Sequence, residues 1–475
     1  MADLGLLTAP RGTVTAPAGC GKTHLIADGL TRHEGPKPIL VLTHTNAGVA
    51  ALRSRLDKAR VPARHYKLAT LDGWAMRLIS TFPTRSGHDR SILELGSPRN
   101  DYPAIRDAAL NLLGSGHIGE VLSASYDRLI VDEYQDCSVR QHGMVCLAAE
   151  WLPTCVLGDP MQAIFGFAGK LVDWETEVLK DFEPLGELTY PWRWMNAGTK
   201  IFGEWLLAIR QDLWLGRPID LRQAPSEVSW VELDGKDDYA KRLAAARTRP
   251  PHRDGTVLVI AESTNPAGQR EIASHTPGAV TVESVDLRDL VDFARGFNLT
   301  APDAVERLVE FAGKVMTGIG TTDFLRRVDS QRRRTARNEP SEAELAALEF
   351  VRAPSATRAT NLLVELGKQG GVRPHRPAVL RACLKALHGC EPTENGSFYD
   401  AAIRAREQNR MVGRPLARRA VGSTLLLKGL EADVSVVLNV EDMDARHLYV
   451  AMTRGSKKLV VCSRSPVLMR PRVSR

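Results

Sequence analysis

Runs of apolar residues alternate with amphipathic stretches along the first third of the chain. Residues 38–43 (PILVLT), 129–132 (LIVD) and 154–158 (TCVLG) carry almost no polar alternation, the pattern of strands covered on both faces. Residues 13–15 (TVT) predict a strand that leads into a glycine-containing turn. Residues 25–30 and 47–56 show helical spacing. Strands that alternate with helices predict an α/β fold with a parallel sheet and helices on both faces. Between residues 82 and 119 the pattern lapses at Pro83, Gly87, Gly96-Ser97-Pro98 and Asn100, and then resumes as a helix over 104–113. That stretch reads as an insertion in the first α/β domain. Residues 256–261 (TVLVIA) and 434–440 (VSVVLNV) predict strands of a second α/β unit. The intervening block, 286–414, is polar and helix-biased, with Gln331-Arg332-Arg333-Arg334 and acidic residues at Glu339, Glu342 and Glu344. The basic tail from Ser463 contains two prolines and reads as a loose chain end.

Composition narrows this picture modestly. The 475 residues are enough for two to four domains, and 43% hydrophobic with 25% charged residues suits globular cores. Lys+Arg 63 against Asp+Glu 56 gives a net charge of +7, which permits a polyanionic partner without requiring one. The 7 cysteines form no C-x-x-C pair, and the spacing of Cys383, His388 and Cys390 matches no metal motif. No structural metal is therefore expected, and the cysteines read as reduced thiols. Neither a signal peptide nor an apolar run long enough to span a membrane is read, so a cytoplasmic protein with no membrane partner is expected.

The sharpest chemistry lies near the N-terminus. Ala16-Pro17-Ala18-Gly19-Cys20-Gly21-Lys22-Thr23 follows one predicted strand and opens a helix. That is the context of a phosphate-binding loop of the Walker A kind, with Ala16 where the general pattern has its first glycine. Gly19 and Gly21 let backbone N–H groups wrap phosphates, and the helix N-terminus adds its dipole. Lys22 would bridge the β- and γ-phosphates, and the Thr23 hydroxyl would ligate Mg²⁺. Asp132-Glu133 closes the LIVD strand, where a carboxylate of an open parallel sheet faces the ligand crevice. Asp132 would hold Mg²⁺, and Glu133 is the natural general base for a water that attacks the γ-phosphate. ATP with Mg²⁺ is the expected cofactor set.

Read together, these segments resemble a superfamily 1 helicase of the UvrD/Rep/PcrA type. The pieces occur in family order: APAGCGKT at 16–23, Thr43-His44-Thr45-Asn46-Ala47, Thr70-Leu71-Asp72-Gly73-Trp74-Ala75, and Asp132-Glu133-Tyr134-Gln135-Asp136. They continue with GDPMQAIFGF at 158–167, Tyr190-Pro191-Trp192-Arg193, Lys428-Gly429-Leu430-Glu431 and LYVAMTR at 448–454. The resemblance implies two RecA-like parallel-sheet domains of the P-loop NTPase kind with helical insertions. Residues 1–81 and 120–195 would form the first domain, with 82–119 as its small insertion. Residues 196–285 and 415–475 would form the second, with 286–414 as its helical insertion. ATP would lie between the two domains and single-stranded or tailed DNA across their tops.

The same resemblance implies roles for individual residues. Lys22, Glu133, Gln162, Arg193 and Arg454 would form the catalytic set, with Arg193 and Arg454 as arginine fingers and Gln162 as a γ-phosphate sensor. Ala18, Gly19, Cys20, Gly21, Lys22, Thr23, His24, Trp192 and Glu431 would bind nucleotide, and Thr23 and Asp132 the metal. Thr45, Asn46, Trp74, Phe165, Phe167 and Ser423 would contact DNA, the aromatics by stacking bases. Core packing is the alternative reading of Trp192, Phe165 and Phe167.

This chain departs from the family pattern in places. No Gln precedes Thr23, so a reader of the adenine edge is missing, and stacking between His24 and Trp192 would discriminate weakly among NTPs and dNTPs. Ala168 and Leu425 stand where the family commonly has a basic residue and a His. The compact insertions and Asp72-Gly73-Trp74 are similar to the helicase-like subunit of the Gabija anti-phage system, which implies an alternative: a DNA-sensing NTPase subunit beside a nuclease-ATPase partner. The main expectation is a DNA-stimulated NTPase that translocates 3′ to 5′ on single-stranded DNA.

Overall fold

The computed structural model describes residues 4–166, 169–284, 286–390, 397–411 and 417–473. It is an α/β fold with two six-stranded parallel sheets and many helices, as the sequence pattern predicts. By its contacts the chain divides into Met1–Glu232 with Val440–Arg475, and Leu233–Asn439. The segments 196–232 and 440–475, which the sequence reading grouped with the second RecA-like domain, fall in the first of these units.

The first sheet comprises β1 (Arg11–Thr15), β2 (Ile39–Thr43), β3 (Tyr66–Thr70), β4 (Leu129–Val131), β5 (Thr154–Gly158) and β6 (Glu183–Glu187), in the order β3-β2-β4-β5-β1-β6. The chain passes from β1 to β2 over the places of β5 and β4. The loops that follow β1, β4 and β5 therefore leave neighbouring strands at one edge of the sheet. Successive residues of one strand point to opposite faces. Accordingly Leu40, Leu42, Leu129, Val131 and Val156 enter one core, while Ile39, Val41, Ile130, Cys155 and Leu157 enter another. The second core is closed by α1 (Lys22–Thr31) and α2 (Asn46–Lys58), through Leu25, Ile26, Leu30, Leu52 and Leu56. The first is closed by α3 (Leu71–Thr81) and by helices Pro98–Gly114 and Val139–Ala148. Burial of each such Leu or Ile contributes about 1.5–3 kcal/mol, which is why the central strands need no polar face.

Two expectations need correction. The helix read over 104–113 starts earlier, at Pro98, and its Ile105 and Leu112 join the core that holds Leu71 and Trp74. Pro98 suits a first helical position, where the missing N–H costs nothing. The tail after Ser463 is also tied down. Val467–Leu468 pairs antiparallel with Ile219–Asp220, and Arg470 donates from Nε to the Met443 carbonyl at 2.6 Å.

In the second unit, strands Ala279–Thr281, Arg419–Gly422, Val257–Ile260 and Ala432–Val437 pair in parallel in that order. Among the described residues of 286–414, seven helices pack around a core of their own that includes Leu308, Phe311, Phe324, Phe350, Leu362 and Leu387. The first unit carries a further parallel pair, Val228–Glu232 with Gly455–Ser463.

Candidate nucleotide-binding site

The loop after β1 turns through left-handed backbone at Gly19 (φ 72°) and Gly21 (φ 92°), a conformation that disfavours any side chain. Space excludes one at Gly19 as well, since a Cβ there would lie 2.6 Å from the Trp194 ring. Gly21 caps α1 without any side-chain hydrogen bond, which leaves the first-turn N–H groups of α1 for an anion. Two remote groups brace the loop. The Ala18 N–H donates to the Tyr449 hydroxyl at 3.2 Å, and the Arg193 N–H donates to the Gly19 carbonyl at 3.0 Å.

Lys22 reaches back to the end of β4. Its ammonium pairs with Asp132 at 3.2 Å and donates to Glu133. Burial pulls the Lys22 ammonium down, and the Asp132 and Glu133 carboxylates more than offset it, so its pKa lies above the ordinary lysine value. Burial likewise pushes the Asp132 carboxyl up from its usual range, against the pull of Lys22. Glu133 sits at φ 55°, in left-handed backbone that costs a non-glycine residue about 1–3 kcal/mol. That turn aims its carboxylate at Lys22 and at the Gln135 amide, which donates to it at 2.6 Å. Thr23 lies in the first turn of α1, where its hydroxyl accepts from Arg55 at 2.9 Å.

The loop after β5 joins the same network. Gln135 accepts from the Asp159 N–H at 3.0 Å, which links the end of β4 to that of β5. Asp159 is wholly buried and accepts from the Gln162 amide at 3.1 Å. Arg454, also buried, places Nη2 3.5 Å from the Gln162 side-chain Oε1 and donates from Nε to the Val450 backbone carbonyl at 2.8 Å. Arg193 donates to the Thr453 carbonyl at 2.6 Å. The structure thus brings Lys22, Thr23, Asp132, Glu133, Gln162, Arg193 and Arg454 into one connected region of the first unit.

Other sequence-derived residues fall as follows. His24 is exposed on α1. Trp192 is 38% exposed and packs on exposed Tyr190, with ring centroids 4.5 Å apart, so its indole keeps an accessible face. Cys20 is buried, and burial pushes its thiol up to about 12, so it remains a neutral packing group. Thr45 and Asn46 are exposed at the start of α2, with Phe165 half-buried and stacked on His44 at 6.3 Å. Trp74 does not join them: it is 1% exposed in the core under β2, and its ring offers no face to a base. Phe167 lies outside the described residues. Ser423 and Glu431 belong to the second unit, where Ser423 is buried and caps the turn Thr424–Leu427, and Glu431 is exposed.

Sequence reasoning left Arg210, Gln135, Arg55 and Tyr449 out of the site. Arg210, on helix Lys200–Leu215, donates to Asp159 from Nη2 at 2.8 Å and from Nε at 3.1 Å, and to Glu187 at 3.0 Å. Its distance along the chain hid it, whereas Gln135 and Tyr449 stood inside recognised motifs.

The residues fit a nucleoside triphosphate and Mg²⁺. The glycine turn and the uncapped helix end are N–H donors for phosphate, and Thr23 and Asp132 offer the hard oxygen donors that Mg²⁺ takes. Residues 101–183 match the family model of the UvrD/REP helicase N-terminal domain. No curated protein matches the chain. The family-model match, which spans Asp132, Glu133 and Gln162, supports a DNA helicase/ATPase of the UvrD-like superfamily 1 type.

Proposed function

We propose that the chain is a DNA-stimulated NTPase of the UvrD-like type that moves 3′ to 5′ along single-stranded DNA, with two RecA-like domains as its working parts. The observation that carries this reading is the continuous network from Lys22 through Asp132, Glu133, Gln135 and Asp159 to Gln162 and Arg454. In that network Lys22 neutralises the two acids. Phosphates of an incoming NTP compete for the Lys22 ammonium, and this frees a Glu133 oxygen to take the proton of the attacking water. Thr23 and Asp132 would hold Mg²⁺, which would supply charge stabilisation for the transferring phosphoryl group. Arg193 and Arg454 provide positive charge where negative charge develops. Gln162, bonded to Asp159, sits between the phosphate site and the loop that carries Phe165, and so couples hydrolysis to the strand. The exposed Trp192 face stacks on any base.

The test is strand displacement from duplexes with a 3′ or a 5′ single-stranded tail, run beside NTP hydrolysis. Displacement of the 3′-tailed duplex alone is the expected result, with kcat/KM for ATP, GTP and CTP within about tenfold of one another. Displacement from the 5′ tail would reverse the polarity. Hydrolysis without displacement would favour a DNA-sensing NTPase that serves a nuclease partner.

A further inference from the structure

In the first unit, where helix Val139–Ala148 meets Asp181, three side chains of different chemistry converge. His142 and Cys146 stand four residues apart on helix Val139–Ala148, so one helical face presents both. Asp181 ends the short helix Leu179–Asp181. The His142 Nε2 lies 2.9 Å from the Asp181 Oδ2, and the Cys146 Sγ lies 3.6 Å from each of those two atoms. We infer that His142, Cys146 and Asp181 form a binding site for a divalent cation of the zinc class, with three protein ligands and a fourth position open to water.

The distances carry the inference. Zn–S near 2.3 Å and Zn–N or Zn–O near 2.0–2.1 Å in a tetrahedron imply ligand edges of about 3.6 Å for S···N, about 3.5 Å for S···O and about 3.3 Å for N···O. Two of the three observed edges agree within about 0.1 Å, and the third opens by less than half an ångström as a cation replaces the direct His142–Asp181 hydrogen bond. One imidazole, one thiolate and one carboxylate form a borderline-soft donor set, suited to Zn²⁺ or Co²⁺ rather than to Mg²⁺.

The surroundings also suit a site. The other ring nitrogen of His142, Nδ1, lies 2.8 Å from the Tyr134 hydroxyl. With the cation on Nε2, Nδ1–H donates to that oxygen and holds the ring in place, as outer partners of metal-bound imidazoles do. His142 is buried against Tyr134 and Phe182, whereas the Asp181 side chain is 38% exposed, so the site is anchored on one side and reachable on the other. Binding replaces the Cys146 thiol proton by a metal–sulfur bond and releases that proton to solvent. Burial and then Asp181 push the Cys146 thiol up to about 12, and the Arg11 guanidinium, which lies over the Phe182 ring, offsets part of that rise.

The experiment strips the full chain with a chelator and titrates it with Co²⁺ alone, reading ligand-field absorption and the thiolate-to-cobalt band. One equivalent of Co²⁺ should give both, and Zn²⁺ should displace them. Cys146→Ser should abolish the thiolate band, and Asp181→Asn should weaken binding at least about tenfold, each with unchanged circular dichroism. Both side chains are only partly buried, so the variants test binding rather than folding. Zn²⁺ should also raise the thermal midpoint of the parent chain and leave that of Cys146→Ser unmoved. The inference is overturned if one equivalent of Co²⁺ gives no thiolate band, or if the band persists in Cys146→Ser.

Discussion

At the residue scale, Asp159 is the point on which the site turns. It is wholly buried, accepts from Gln162, and is held by two donors of Arg210. Burial pulls the Arg210 guanidinium down and Asp159 more than offsets it, so Arg210 stays charged in the interior. Loss of one partner from a buried pair leaves an uncompensated charge, at a cost of about 3–5 kcal/mol. Arg210→Met should therefore lower urea-unfolding stability by roughly that amount, and the double variant Arg210→Met with Asp159→Asn should recover part of the loss. Equal losses in the single and double variants would show that the pair does not anchor the loop. The grouping of Lys22, Thr23, Asp132 and Glu133 was legible because phosphate and metal chemistry calls for those residue types at that spacing, and Lys22 meets both acids in the fold. Arg210 was not, because a lone arginine on an amphipathic helix carries no local signal. The Trp74 ring shows the opposite failure: a motif position suggested contact with DNA, and the packing of α3 under the sheet buries it.

At the element scale, the central strands were readable and the edge strands were not. β2, β4 and β5 are apolar on both faces and appear in the sequence as unbroken runs. β6 reads EPLGE and is mostly exposed. It can hold Pro184 and Gly186 because it pairs on one side only, with β1, across a register shift between Thr13 and Val14. β3 (YKLAT) is half polar for the same reason, as the opposite edge of the sheet.

The helical block holds a pH-sensitive element. His375, beside the short strand Arg373–Pro374, is buried, and its Nδ1 has no hydrogen-bond partner. Burial first, then Arg376, Arg373 and Arg270, lowers its pKa from 6.5 to about 4. The folded state prefers the neutral ring, so this contribution to stability is complete above pH 6.5 and is lost as pH falls toward 4, because the unfolded chain then binds more protons. The slope is at most about 1.4 kcal/mol per pH unit. Between pH 7 and pH 5 the thermal midpoint of the parent chain should fall further than that of His375→Asn. Parallel curves would remove His375 as the cause.

At the scale of the whole molecule, two six-stranded parallel sheets and a helix-rich remainder were foreseeable from alternating strand and helix patterns. The placement of residues 196–232 and 440–475 was not, because it depends on contacts remote in sequence, such as Tyr449 with Ala18 and Arg193 with Thr453. The charge of +7 also takes a more specific meaning. Lys22, Arg193 and Arg454 lie in the network around the glycine loop, so part of the basic excess belongs to the proposed phosphate site, and the reading of a DNA partner rests on the UvrD/REP match and on exposed Thr45 and Asn46 with half-buried Phe165.

The proposed function stands on hydrolysis of NTP, driven from Glu133 and coupled to single-stranded DNA. Its most direct test is steady-state NTP hydrolysis by the full chain with and without single-stranded DNA, run in parallel on Glu133→Gln. DNA should stimulate turnover by the parent chain, and Glu133→Gln should lose about 10²–10⁴-fold in kcat with its circular dichroism unchanged. Turnover indifferent to DNA, or full turnover in Glu133→Gln, would contradict the proposed function.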